Sequence, residues 1–130
     1  MRKINTHKVN PVNDLLEIAV TDEPGAGGAN HRYEITEFDV SSNASMHSGD
    51  INAKHVILFQ NGPIPEKGVN GLTQEVLIAI CIDRLQSFQA GPFACRENAL
   101  ALTKLEEAQM WLQKRTRDRM ARGVEGTHEK

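Results

Sequence analysis

The sequence predicts an α+β fold: a small N-terminal antiparallel β-sheet followed by a C-terminal helical hairpin with one long helix. Three observations carry the prediction. Up to about residue 60 the apolar residues alternate with polar ones or stand in short blocks, the strand pattern. From Leu72 onward they recur at spacings of three and four, the period of a helix. Gly91-Pro92 interrupts that period once, as the bend of a hairpin does.

Residues 1–14 are polar, with a proline and several asparagines, and read as a loose start or a short edge strand. Residues 15–20 (Leu-Leu-Glu-Ile-Ala-Val) read as a strand that ends in a glycine-rich turn. Residues 31–40 alternate, with Tyr33, Ile35 and, less cleanly, Phe38 and Val40 on the apolar side. A Ser/Asn/Gly loop follows over 41–50. Residues 51–60 hold the buried-strand candidate Val56-Ile57-Leu58-Phe59, stopped by Asn61-Gly62-Pro63. Short strands with no helix between them pair antiparallel. The whole chain of 130 residues reads as one domain, with residues 1–70 its β-rich part.

The first helix is expected over 71–90, capped by Asn70, with a stripe of Leu72, Val76, Leu77, Ile80, Cys81 and Phe88 and with Leu85 close by. The long helix is expected over 93–122, with a stripe of Leu102, Leu105, Ala108/Gln109, Leu112 and Thr116 and with Trp111 beside it. Gly123 stops it, and 123–130 is a tail. Such a helix is roughly 40 Å long, more than the width of a globule of this size. A small sheet and a shorter helix cannot cover it. The length therefore predicts a homo-oligomer, most simply two long helices packed antiparallel about a two-fold axis.

Composition excludes several classes of function. A net charge of −2 argues against bulk nucleic-acid binding. The longest apolar run, 76–82, is too short to cross a membrane. Cys81 and Cys95 lack metal-binding or redox spacing and read as buried, reduced thiols of a cytoplasmic protein, with a disulfide between them as the lesser alternative. The five histidines are scattered, and none lies in a His-x-Thr or His-x-Ser pattern. No nucleophile elbow, zinc-protease motif or Walker loop occurs. Gly25-Ala26-Gly27-Gly28 lacks the lysine and the helix of a phosphate loop and reads as a turn. His31 and His55 as a metal pair would be a folding accident, solvated or core histidines being commoner. No catalytic residue, metal or cofactor is expected.

Two places suit a ligand. The bend gathers Phe88, Phe93, Arg96 and Asn98, which together offer a stacking face, a cation and an amide to a nucleotide. On burial habits alone, phenylalanines such as these are more often core than ligand platforms. Farther along, Lys114, Arg115, Arg117, Arg119 and Arg122 stand against one acid, Asp118. Basic residues in a last helical turn complement the helix dipole, so this bias has an ordinary explanation. Yet Arg115, Arg119 and Arg122 share one face, where an anionic phosphate would relieve their repulsion.

At these residues the sequence takes on a family likeness. The run Gly91-Pro92-Phe93-Ala94-Cys95-Arg96-Glu97-Asn98-Ala99-Leu100-Ala101-Leu102-Thr103-Lys104-Leu105-Glu106-Glu107-Ala108, with Met110-Trp111-Leu112, Lys114-Arg115-Thr116 and Gly123-Val124-Glu125-Gly126-Thr127, closely resembles phage proteins of the first Thoeris anti-defence family. Asn61-Gly62-Pro63 and Gly68-Val69-Asn70-Gly71-Leu72-Thr73 fit as well. A shorter part, from Arg96-Glu97 through Ala108 with Trp111, is similar to the all-helical anti-CBASS sponges, but the sheet-forming first half favours the Thoeris family.

The resemblance implies a non-catalytic sponge in the host bacterial cytoplasm that sequesters cyclic ADP-ribose isomers such as glycocyclic ADP-ribose, made by TIR-domain enzymes. It further implies a hexamer built from dimers and a second type of site for cyclic trinucleotides. Where the motif matches, the ligand residues carried over are Phe88, Asn98 and Arg115. From the N-terminal half Arg32 is the cation to expect. Asn98 and Arg115 stand 17 residues apart on one helix, roughly 25 Å, too far for one such ligand to bridge. Both touch it only if they come from different subunits. The rival readings are an oligomer that contacts a host protein or nucleic acid through 114–122, and a phosphodiesterase, which the missing histidine pair disfavours.

Overall fold

The computed structural model describes residues 1–50 and 54–129, and its elements are those of the expected α+β architecture. They fall into two compact units, Met1–Asn61 and Gly62–Lys130.

The first unit is a four-stranded antiparallel sheet in the order β1 (Arg2–Ile4), β2 (Glu17–Val20), β3 (Arg32–Thr36) and β4 (Lys54–Leu58). Its register places Ile4, Ile18, Ile35 and His55 in one cross-strand row, and Arg2, Val20, Tyr33 and Ile57 in another. Both rows lie on the same face, because side chains alternate along each strand. Val20 is the most deeply buried residue there, at 1% exposure. Aromatic contacts extend this face: Tyr33 meets Phe59 edge-on at 5.5 Å, and Phe38 stacks on His55 at 4.9 Å.

Three expectations change here. The start holds the short edge strand that is one of its two readings, β1, and then an unexpected short helix, α1 (Pro11–Leu15). Asn10 caps it by accepting the Asn13 N–H at 2.8 Å, and Pro11 stands at the first helical position, where its missing N–H costs nothing. Leu15 therefore belongs to α1 and not to the strand. In the 31–40 segment the strand stops at Thr36, because Glu37 takes a positive φ of 71°. Phe38 and Val40 lie beyond that break. The first three residues of the expected 51–60 strand lie outside the described residues.

The second unit contains α2 (Ile64–Lys67), α3 (Gln74–Gln89) and α4 (Arg96–Ala121). Sequence reading missed α2, a single turn. The unit begins at Gly62, earlier than residue 71, and the Ile64 N–H donates to the Gly126 carbonyl at 2.9 Å. The caps also move inward. Thr73, not Asn70, caps α3 by accepting the Val76 N–H. Cys95 caps α4, its Sγ accepting the Asn98 N–H at 3.4 Å, so the long helix begins at Arg96 and not at 93. Between the helices the Gln89 amide closes the bend, donating to the Cys95 carbonyl at 3.1 Å and accepting its N–H at 3.0 Å.

The two helices pack antiparallel. On α4 the half-buried residues are the expected stripe, Leu102, Leu105, Ala108, Gln109, Leu112 and Thr116, together with Asn98. On α3 they are Glu75, Leu77, Ile78, Ile82, Leu85 and Gln89, whereas Val76, Ile80, Cys81 and Phe88 are exposed. The run 76–82 is apolar all round, so its period does not distinguish the side that meets α4 from the side that does not. Both cysteines are free and exposed, against the expectation of buried thiols. Gln109 reaches the Glu75 carbonyl at 3.2 Å, in the first turn of α3. The remainder of α4, with its basic residues, continues past that point. Among the described residues, no helix is long and apolar enough to cross a membrane.

Candidate functional site

The bend of the hairpin is built by its caps. Ending α3 at Gln89 and starting α4 at Arg96 places Phe88, Phe93, Arg96 and Asn98 at the same end of the helix pair. Asn98 is half-buried, and its amide donates to the Phe93 carbonyl at 3.4 Å, which ties the turn to the first coil of α4. Phe93 is 74% exposed and Phe88 39%. These rings are available as stacking faces and are not spent as core. Sequence reading overlooked Arg84, whose guanidinium lies 5.4 Å from the Phe88 ring centroid. The signal was present, since Arg84 and Phe88 are four residues apart on one helix. Arg96 is exposed at the first position of α4.

The basic end of α4 is less uniform than its sequence. Lys114 pairs with Asp118 at 2.7 Å, one turn on. Arg115 is exposed. Arg119, expected beside it as a phosphate ligand, is only 5% exposed and turns its guanidinium into the following segment. Its Nε donates to Glu125 at 3.1 Å, and its terminal nitrogens donate to the carbonyls of Val124 at 2.8 Å, Thr127 at 3.3 Å and Glu129. The expected open row of arginines is interrupted at Arg119. Acceptors supplied by backbone carbonyls leave no trace in a reading of side chains. Asn98 and Arg115 remain on one helix, roughly 25 Å apart, and one chain does not bring them together.

In the first unit Arg32 is also engaged. It donates to Thr21 Oγ1 at 2.7 Å and pairs with Glu34, which takes Lys54 at 3.2 Å from the other side. The two cations hold the Glu34 carboxyl below its ordinary range. Burial pushes Asp22 up, but the N–H groups of His31 and Arg32 outweigh it and leave the carboxyl below its usual value. His31 is buried under this turn, while His55 is exposed and stacked on Phe38. No group of three or more His, Cys, Asp or Glu among the described residues is arranged to hold a metal ion. Two open hollows of this unit, about 570 Å³ around Thr36, Glu37, Phe38, Asp39 and Lys54 and about 220 Å³ beside Asp22 and Asn30, are lined by sheet and loop residues.

A sheet unit followed by a two-helix hairpin, with aromatic rings and an amide at the bend and arginines at the far end of the longer helix, defines a class of helical-hairpin proteins. The chain belongs to the Acb2/Tad1 hairpin-domain family, whose model (Acb2/Tad1, hairpin domain) matches residues 52–117. It is similar to Thoeris anti-defense 1 of Bacillus phage SBSphiJ7, with 65% identity over 72 residues. That match covers 55% of this chain and 51% of the relative, so the chain matches about half of the relative's length. The likeness drawn from the residue runs is borne out. Phe88, Phe93, Arg96, Asn98 and Arg115 lie inside the stretch that matches the family, and Arg32 and Arg119 lie outside it.

Proposed function

We propose that this protein is a phage anti-defence sponge: it binds and sequesters, without cleaving, a cyclic ADP-ribose isomer of the glycocyclic kind produced in Thoeris immunity. The observation that carries this reading is the 65% identity to a Thoeris anti-defense protein, taken with a bend that leaves Phe88 and Phe93 open beside Asn98. The adenine stacks on Phe88 or Phe93, the Asn98 amide reads its edge, and arginines take the pyrophosphate. Arg96 adds positive charge at the bend. Arg32, tied to Thr21 and Glu34, contributes only where a ligand displaces those partners.

The length of α4 divides the site between two copies of the chain. The bend of one supplies Phe88, Phe93, Arg96 and Asn98, and the helix end of its neighbour supplies Arg115. Dimers of this kind assemble further to a hexamer, and cyclic trinucleotides take a second type of site. The protein acts in the host cytoplasm, where the signal is made. Sites preformed on rigid helices suit a sponge, since little ordering cost falls on binding.

Calorimetry with glycocyclic ADP-ribose tests the reading. Arg115→Ala weakens binding by about tenfold or more, the loss of a charge-assisted hydrogen bond, while the assembly keeps its mass. Ligand released by heating the complex is chemically unchanged. A cleaved product would instead mark an enzyme. Absent small-molecule binding, with DNA binding that is salt-sensitive and lost in Arg115→Ala, would favour a nucleic-acid contact through 114–122.

A further inference from the structure

Arg119 is buried although the charged residues before it on α4, Arg115, Arg117 and Asp118, are exposed. What buries it is residues 123–129. The helix stops at Gly123, whose φ of 74° reverses the chain, and Gly126 turns it again at 78°. The loop closes on itself through the Thr127 N–H, which donates to the Val124 carbonyl at 3.1 Å. Its inner side presents four oxygens to one guanidinium: a carboxylate oxygen of Glu125 and the carbonyls of Val124, Thr127 and Glu129. This is the acceptor set that the oxygens of a phosphate or pyrophosphate supply.

We propose that residues 123–129 are a strap that occupies Arg119 as an internal stand-in for an anion, and that an anion bound at Arg115 displaces it. Three features carry this. Arg115 and Arg119 are four residues apart on α4 and share a face, so an anion on the first lies beside the second. The strap is held by polar contacts: apart from Arg119 side-chain bonds, the Val124 N–H donates to the Arg119 carbonyl at 3.0 Å and Ile64 donates to Gly126. Glu125, Thr127, His128 and Glu129 are exposed, so little apolar burial secures it and its local stability is low. Finally, a phosphate is a stronger partner for a guanidinium than neutral carbonyls are, and its charge repels Glu125. The proposal rests on reading the basic end of α4 as the anion-binding end. It adds that the free protein holds this end partly closed.

The test uses the full chain, with inorganic pyrophosphate and glycocyclic ADP-ribose as separate probes. Hydrogen exchange at the Val124 and Thr127 amides, protected in the free protein only to the extent that the strap is closed, accelerates when pyrophosphate saturates. Two variants weaken the strap without touching α4. Glu125→Gln removes the charged acceptor, and Gly126→Val puts a β-carbon 3.3 Å from Ile64 Cδ1 at a φ that side chains rarely adopt. Both bind pyrophosphate about threefold to tenfold more tightly, because a site that is open only part of the time is weakened by that fraction. Amides that stay protected with pyrophosphate bound overturn the proposal, as does failure of pyrophosphate to bind. Variants that bind no better also overturn it. If pyrophosphate opens the strap but glycocyclic ADP-ribose does not bind, the strap stands and the sponge reading falls. If glycocyclic ADP-ribose binds while the strap amides stay protected, the reverse holds.

Discussion

Glu17 and Glu34 each lie against cations on the sheet. Lys8 reaches Glu17 at 2.7 Å, and Arg32 and Lys54 flank Glu34. Lys8 pulls Glu17 below the ordinary glutamate value of 4.5, and Arg32 followed by Lys54 does the same to Glu34. Because the folded values lie below the unfolded ones, these carboxylates stabilise the sheet at pH above 4.5. That contribution is lost as pH falls through the lowered folded values. Denaturant unfolding of the protein, followed by circular dichroism in the sheet region, should show a falling midpoint below that pH, and Glu34→Gln should flatten the decline. An unchanged profile in the variant would remove Glu34 from the account. The Arg32–Glu34 pair was legible in the sequence, since residues two apart on a strand share a face. The partnership with Thr21 was not. It depends on how β2 and β3 are aligned, and an eleven-residue connection does not announce that alignment.

At the scale of the elements, both long helices start later than the sequence suggests, and for the same reason. Apolar period marks where a helix is useful, whereas the cap marks where the backbone turns. Thr73 and Cys95 hold those positions. A thiol is a weak acceptor for the Asn98 N–H, and its 3.4 Å contact is correspondingly long. Cys95→Ser should therefore raise the stability of the hairpin by about 0.5–1 kcal/mol, with Cys95→Ala unchanged or lower. Equilibrium unfolding of the two variants beside the parent decides this, and equal midpoints would remove the cap from the account. The α4 stripe was readable because charged residues such as Lys104, Glu107, Lys114 and Asp118 stand off it. On α3 the run 76–82 has no polar side to compare, so the sequence indicated a helix and left open which face meets α4.

The whole molecule keeps many apolar side chains in water. On the helices Val76, Ile80, Phe88, Leu100, Met110 and Trp111 are all at least 39% exposed. α3 has no buried residue, and in α4 the only one is Arg119. An oligomer of the kind proposed from the length of α4 would cover such side chains. Sedimentation at micromolar concentration should give a mass well above the 14.4 kDa of one chain. Trp111→Glu should shift it towards that value, and a parent protein that sediments as a monomer would overturn the expectation. The order sheet, bend, long helix was legible from period and turn residues. The fate of each arginine was not, because Arg115 and Arg119 differ in what the chain does after the helix ends.

The 26 residues of α4 place the bend and the basic end on one rigid rod. Distance along such a rod is inseparable from angle around it. Inserting a single residue between Asn98 and Arg115 would lengthen the rod by only about 1.5 Å but swing the arginine about 100° around the axis, away from whatever Asn98 faces. A whole heptad would restore the direction to within about 20° while moving the arginine about 10 Å farther away. The α4 helix therefore fixes the phase of its two ends as strictly as their spacing.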